Sequence, residues 1–465
     1  MSVVVVGNGM AGARVAAEIA VRQPRRPVTV LGAEPGAAYN RVLLSAVLAG
    51  TAREADIALA VPPSTVDVRP ADPVVAVDRQ RRLVRTASGA AVRYGTLVLA
   101  TGSDPWLPPV VGLDTGLPGV HTFRTVRDCR RIAATGARRA IVLGGGLLGL
   151  EAARGLAGRG VAVTVVHAGP HLMERQLDQA AGSVLGSTLA RLGVRTVVGA
   201  EAVAVLGSDR FRGLLLAGGA REHADLLVVA CGIRPSTALA SAAGLPVRRG
   251  VVVDDHLRTA DPYVYAVGEC AEHRGQVYGL VAPVWEQAAV AAAAICGRPG
   301  RYAGSAQVTR LKAADIELAA MGEPDGADGE VVQFLDPARG TYKKLVIRDG
   351  RLAGAILLGD ASTVGLVTQL FDRGAPVPPD RLGLLFGGPP GTAAPADPDA
   401  LPDGATVCQC NGVSRAAVAA CVRAGARSVS EVAAATRATT GCGTCSAVVE
   451  RLLVSCQQHE PAVAV

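Results

Sequence analysis

Aromatic side chains are scarce in this 465-residue sequence, at 3% of the whole. Single-stranded nucleic acid is gripped by stacking on aromatic faces, and no groove-reading motif accompanies the net charge of +7. Arginine and acidic residues are interspersed, so the charge describes a solvated surface suited to an acidic protein partner, and no nucleic-acid binding is expected. Long hydrophobic runs are also missing. The best of them, Ala282 to Gly297, is interrupted by Glu286 and Gln287, whereas a membrane helix needs about 20 apolar residues. The apolar start, Met1 to Ala20, lacks the basic opening of a signal peptide and carries Arg14 and Glu18 within it. A cytoplasmic chain with no membrane attachment is expected.

What is present fits a globular protein of two to four domains: 49% hydrophobic residues, 19% charged, 56 glycines and 28 prolines. Ten cysteines without an export signal argue for thiol, metal or redox roles rather than a disulfide framework. Cys129, Cys231, Cys270, Cys296 and Cys456 are scattered and fit small buried hydrophobes. Cys408, Cys410, Cys442 and Cys445 form two close pairs.

The run Val3 to Val6 suits a buried parallel strand, and Gly7-Asn8-Gly9-Met10-Ala11-Gly12 follows it, with a helix expected from about Ala13 to Val21. In this strand–loop–helix setting Gly7 makes the turn, Gly9 admits a pyrophosphate and Gly12 lets helix approach strand. Glu34 stands 22 positions after Gly12, where a carboxylate accepts both ribose hydroxyls. The pattern recurs. Ala140 to Leu143 is a strand, Gly144, Gly146 and Gly149 space the loop, and a helix runs from Leu150 onward. The next strand, Val161 to Val166, ends on His167 where a ribose-binding acid is expected. No arginine lies immediately beside it to clamp a 2′-phosphate, which leans toward NADH without excluding NADPH.

At these residues the chain resembles the two-dinucleotide flavoprotein reductases, whose first fingerprint holds FAD and whose second holds NAD(P)H. Ala100-Thr101-Gly102-Ser103 is similar to the crossover segment of that family, and Thr259 to Glu269 to its second FAD segment. The resemblance implies that Arg41, Thr101, Gly102 and Gly268 contact FAD. It also implies that Glu269 holds the ribityl chain where many relatives have Asp, that Glu151 contacts the nicotinamide amide, and that Gly232 lies beside the nicotinamide. Some relatives reduce disulfides or peroxides through a cysteine after the first ribose acid. Tyr39 to Ser45 contains none, so that covalent route is disfavoured.

Beyond the Gly387-Gly388-Pro389-Pro390-Gly391 stretch, composition shifts to Ala, Pro and Asp, a linker of about 19 residues. A small domain follows. Ser414 is placed to cap a helix reaching Gly425, and Ser428 with Glu431 forms a capping box for a second. These helices bring the C-x-C and C-x-x-C pairs together. Four thiolates so spaced suit tetrahedral zinc or a two-iron two-sulfur cluster, and a flavin needing an electron outlet favours iron. The segment resembles the cluster domain of bacterioferritin-associated ferredoxin (BFD). Joined to a flavin reductase, that domain occurs in the electron-transfer subunit of assimilatory nitrate reductase and in the N-terminal half of the NAD(P)H nitrite reductase large subunit.

The expected class is α/β: a Rossmann-like FAD domain (1–112 and 233–302), an inserted NAD(P)H domain (113–232), a small α+β domain (303–386), a linker (387–405) and a helical BFD-like [2Fe-2S] domain (406–456). Twenty residues follow Cys445, without the cysteines of a sirohaem domain, so no nitrite-reducing site is expected in this chain. The resemblance implies electron supply to a partner, foremost a molybdenum-dependent nitrate reductase catalytic subunit. Alternatives are a separate nitrite reductase, a ferredoxin or a rubredoxin, or a role as a redox- or iron-responsive docking module.

Overall fold

The computed structural model describes residues 2–324, 326, 328–360, 362–387, 401–408, 411–440 and 445–458. The strand Val3–Val6 is buried along its whole length, as β-branched residues covered on both faces of a parallel sheet require. It pairs in parallel with Val28–Leu31 on one side and Thr96–Leu99 on the other. Val66–Arg69 and Val264–Ala266 complete five parallel strands. The last of these comes from far along the chain, so the sheet is assembled from two separated segments. Helix Met10–Arg22 packs on it through Val15, Ala16 and Ile19. It begins three residues before the expected Ala13, because the end of the glycine loop is itself the first turn.

A second five-stranded parallel sheet repeats the plan, with Arg139–Leu143 at its centre between Ala162–Val166 and Leu226–Val229. Helix Leu147–Gly158 follows the central strand and likewise starts inside the glycine loop. Each unit also carries a three-stranded antiparallel sheet, at 74–93 and 202–223.

Residues 308–358 form a five-stranded antiparallel sheet, backed by helices Val364–Arg373 and Arg381–Phe386. It is fastened to the second parallel unit at Asp178. That carboxylate caps helix Gln179–Arg191 through Ala181 N–H at 2.9 Å, accepts from Lys344 Nζ at 3.0 Å and accepts the Tyr342 hydroxyl.

The terminal unit has a core of its own, built from Val418, Val422, Val432, Val449 and Leu452. Ser414 caps helix Arg415–Arg423 and the Ser428–Glu431 box caps Val429–Thr436, as the sequence predicts. A third helix, Ser446–Gln458, crosses them. Cys410, Cys442 and most of the linker, 388–400, lie outside the described residues. Among the described residues no helix is long and apolar enough to cross a membrane.

Candidate functional site

The two glycine loops are near copies. Gly7 has φ +111°, and a Cβ there would lie 2.2 Å from Ala100 O. A Cβ on Gly12 would lie 1.9 Å from Gly7 O. Gly144 has φ +116° and stands as close to Ala230 O, at 2.4 Å, while Gly149 meets Gly144 O at 2.0 Å. These four positions admit only glycine, for steric reasons internal to the fold. Gly9 and Gly146 differ: a Cβ on either meets nothing within 4 Å. Both are N-caps without a side-chain capping bond, so each helix presents unblocked backbone N–H groups over open space. That arrangement fits a dinucleotide pyrophosphate.

Around the first loop the structure gathers most of the residues expected to contact FAD. Glu34 accepts from the Tyr39 hydroxyl at 2.7 Å and pairs with Arg41. Arg41 also donates to Tyr39 Oη at 2.9 Å and to Arg124 O at 3.1 Å. Burial pushes the Tyr39 phenol well above its ordinary pKa, with Arg41 opposing, so its hydroxyl stays a donor to Glu34. Glu269 accepts from Ser103 Oγ at 2.7 Å and pairs with Arg124. Gly268 donates to Gln287 Oε1 at 2.8 Å, and Thr101 Oγ1 donates to Ser236 O at 2.6 Å. Gly102 has φ +70°, just before Ser103–Pro105, the strand that pairs with Ile233–Pro235. The two segments that cross between the parallel units therefore meet beside Glu269. Arg124 was not legible as part of this network, since it belongs to no local motif.

At the second loop Glu151 is buried in its helix, and Gly232 has φ +118° with open space where a Cβ would be. His167 closes the loop from the strand end: its Nδ1 accepts Gly145 N–H at 3.2 Å, and Nε2 lies 2.7 Å from Glu174 Oε2. A carboxylate thus stands behind the histidine, which sequence spacing alone does not reveal.

No cysteine occurs in Tyr39 to Ser45, but the fold brings one alongside. Cys129 Sγ lies 3.6 Å from Leu44 O, and burial pushes its thiol up to about 12, so it offers no thiolate. Cys270 is also fully buried. Cys231 is half-buried, and burial still raises it to about 11. Cys296 and Cys456 are only half-buried.

In the terminal unit Cys408 and Cys445 are both buried. Asn411, one residue past the first cysteine pair, donates through Nδ2 to Arg437 O at 2.7 Å and lies 3.3 Å from Thr440 Oγ1, just before the second pair. Cys410 and Cys442, the other two of the four expected thiolates, lie outside the described residues. Two basic residues of the terminal unit are engaged within the chain. Arg415 pairs with Asp403 at 2.5 Å, and Arg437 donates to Asp56 O.

Two dinucleotide cradles of one design, joined by paired crossover strands, define a flavoprotein reductase that uses two dinucleotides. Residues 1–294 match the family model for pyridine nucleotide-disulphide oxidoreductases, and the chain belongs to that family, which binds FAD and NAD(P)H. Residues 308–374 match the rubredoxin NAD+ reductase C-terminal domain, and 406–455 match the BFD-like [2Fe-2S] binding domain. The chain is 39% identical over 97% of its length to "Nitrite reductase [NAD(P)H]" of Bacillus subtilis, covering 57% of that protein. It is 36% identical over 97% of its length to "Assimilatory nitrate reductase electron transfer subunit" of the same organism, covering 59%. It therefore spans little more than half the length of these relatives. Among solved structures it is similar to putidaredoxin reductase in its covalent complex with putidaredoxin, at TM-score 0.76 and 28% identity, over 82% of this chain and 95% of that one. The chain is an NAD(P)H-dependent FAD oxidoreductase with a [2Fe-2S] domain.

Proposed function

We propose that the chain passes electrons from NAD(P)H through FAD and a [2Fe-2S] cluster to a separate acceptor protein. The observation that carries this reading is the meeting of the cysteine module with the first cradle: Asn411, the residue after Cys410, lies 2.9 Å from Asn40, next to Arg41. When bound, FAD accepts hydride as an electron pair and releases electrons singly, and the cluster draws them off one at a time.

In this reading the open helix ends at Gly9 and Gly146 bind the two pyrophosphates. Glu34 holds the FAD ribose with Arg41 beside it. Ser103 and Arg124 orient Glu269 toward the ribityl chain, with Thr101, Gly102 and Gly268 shaping the wall. Glu151 and Gly232 position the nicotinamide. His167 is bonded to a carboxylate rather than a guanidinium, which favours NADH. Cys408, Cys410, Cys442 and Cys445 ligate the cluster. The FAD unit comprises 1–112 and 233–302, the NAD(P)H unit 113–232, the small domain 303–386 and the cluster unit 406–456, joined by 387–405.

The acceptor we favour is the catalytic subunit of a molybdenum-dependent assimilatory nitrate reductase, in the cytoplasm. Likeness to a nitrate reductase electron-transfer subunit along nearly the whole chain supports it. A second reading, supply to a redoxin, is favoured by the rubredoxin reductase domain at 308–374. The test sets NADH and this protein against purified nitrate reductase catalytic subunit and, separately, rubredoxin. Nitrite formed only when both proteins are present supports the first reading. Rubredoxin bleaching without nitrite supports the second, and neither response refutes both.

A further inference from the structure

Among the described residues, the terminal module meets the first cradle and its flank at three points. Asn40 is buried, its backbone N–H donates to Ile57 O at 2.8 Å, and its Oδ1 accepts Val42 N–H at 3.0 Å, capping the Arg41–Leu43 turn. That cap fixes the amide: the oxygen faces Val42, so Nδ2 faces the module. Asn411 is fixed the other way round. Its Nδ2 donates to Arg437 O, so Oδ1 faces Asn40, and the two side chains meet donor to acceptor at 2.9 Å. Neither amide can be flipped without losing a second bond.

The other two points flank this one. Arg437, in the left-handed region at φ +66°, donates to Asp56 O, a carbonyl next to the Ile57 that receives Asn40. Gly412 stands against the Trp285 ring, where a Cβ would come within 2.9 Å of Cδ1. Trp285 in turn packs with Met10, the first residue of the pyrophosphate-binding helix. Asn411 and Gly412 therefore tie the module to Asn40 and Trp285, and Arg437 ties it to the 54–57 turn that also receives the Asn40 N–H.

We propose that this three-point seat is the electron-transfer docking geometry between the FAD unit and the cysteine module, with Asn40 as its positioning residue. The proposal rests on the reading that electrons pass from flavin to cluster. Among the described residues the seat comprises two hydrogen bonds and one ring contact. The module keeps a core of its own, so losing a seat contact is expected to shift the module without unfolding it.

The test uses the full chain loaded with FAD and cluster. Asn40→Asp keeps an oxygen for Val42 N–H but sets a carboxylate against Asn411 Oδ1. Asn40→Ser keeps the cap and is too short to reach. Both should retain FAD, cluster and NADH-driven dye reduction. Amide exchange at 54–57 and 437–440 should rise, and flavin-to-cluster transfer in a single turnover should slow, each at least about tenfold, which corresponds to ~1.4 kcal/mol of lost contact. In Asn40→Asp, transfer should recover toward acid pH as the new carboxyl gains a proton and becomes a donor. Asn40→Ser should show no such recovery. Unchanged exchange and unchanged transfer in Asn40→Ser would overturn the seat and leave the electron route standing. A wild-type chain protected at these segments whose cluster NADH does not reduce would overturn the route itself and, with it, this role for Asn40.

Discussion

His167 accepts the Gly145 N–H on Nδ1 and presents Nε2 to Glu174 Oε2 at 2.7 Å. With Nδ1 occupied as an acceptor, the ring carries its proton on Nε2 and donates it to the carboxylate. A carboxylate seven residues beyond the strand end is thus bonded to the histidine that stands where an acid is expected, and we propose that it takes the place of that acid. Negative charge there disfavours a 2′-phosphate. NAD+ should bind more tightly than NADP+, and Glu174→Ala should narrow the ratio by about fivefold, the scale of a partly exposed charge interaction of ~1 kcal/mol. Titration of flavin fluorescence with each oxidised coenzyme measures it. A wild-type preference for NADP+ would contradict the assignment.

The glycine loops separate binding from folding. Gly9 and Gly146 have φ of −93° and −82°, which alanine adopts freely, and their Cβ positions point into open space. Gly9→Ala should fold yet lose FAD, and Gly146→Ala should keep FAD while weakening NADH binding at least about tenfold, ~1.4 kcal/mol. Gly7→Ala, driven against Ala100 O at 2.2 Å, should fail to accumulate as folded protein. Flavin content after gel filtration and coenzyme titration distinguish the three.

The contrast between these glycines explains what the sequence discloses. A left-handed turn, a close approach and a helix cap are set within a few residues, so Gly7, Gly144 and the Ser428–Glu431 box are readable from spacing. Helix starts are less so: the loop residues Met10 and Leu147 are already helical, because the phosphate-binding loop and the first turn share backbone. Asn40 and Asn411 are 371 positions apart, and Arg124 meets Glu269 across 145. Such partners are chosen by how separate units pack, and no local pattern encodes them. Cys129 beside Leu44 belongs to the same class.

Cys408 is buried in a core made only of terminal-unit residues. Cys408→Ser should abolish the cluster while FAD content and dye reduction stay within about twofold of wild type, since the folding units are separable. Iron, sulfide and flavin analysis checks this, and loss of flavin would show that the module is structural to the whole chain.

Asp178 joins the second parallel unit to the antiparallel sheet. Burial alone would raise its pKa, but bonds from Tyr342, Ala181 N–H and Lys344 outweigh it and hold the carboxyl below the usual range. A depressed pKa contributes stability that is present above the unfolded value and lost as pH falls through the folded one. Asp178→Asn should cost about 2 kcal/mol near neutrality, the scale of hydrogen bonds to a charged group. That difference should shrink below the unfolded value of about 3.9. Thermal melts of both proteins across that range test it, and a pH-independent difference would contradict the role of charge.

The central claim, that electrons entering from NAD(P)H reach the cysteine module through the flavin, is tested most directly by anaerobic reduction of the FAD- and iron-loaded chain with one equivalent of NADH, followed by rapid freezing and electron paramagnetic resonance. The account predicts the signal of a reduced two-iron two-sulfur cluster after the flavin absorbance has fallen, and no such signal in Cys408→Ser. A bleached flavin beside a cluster that stays oxidised, or zinc in place of iron in protein prepared without air, would contradict it.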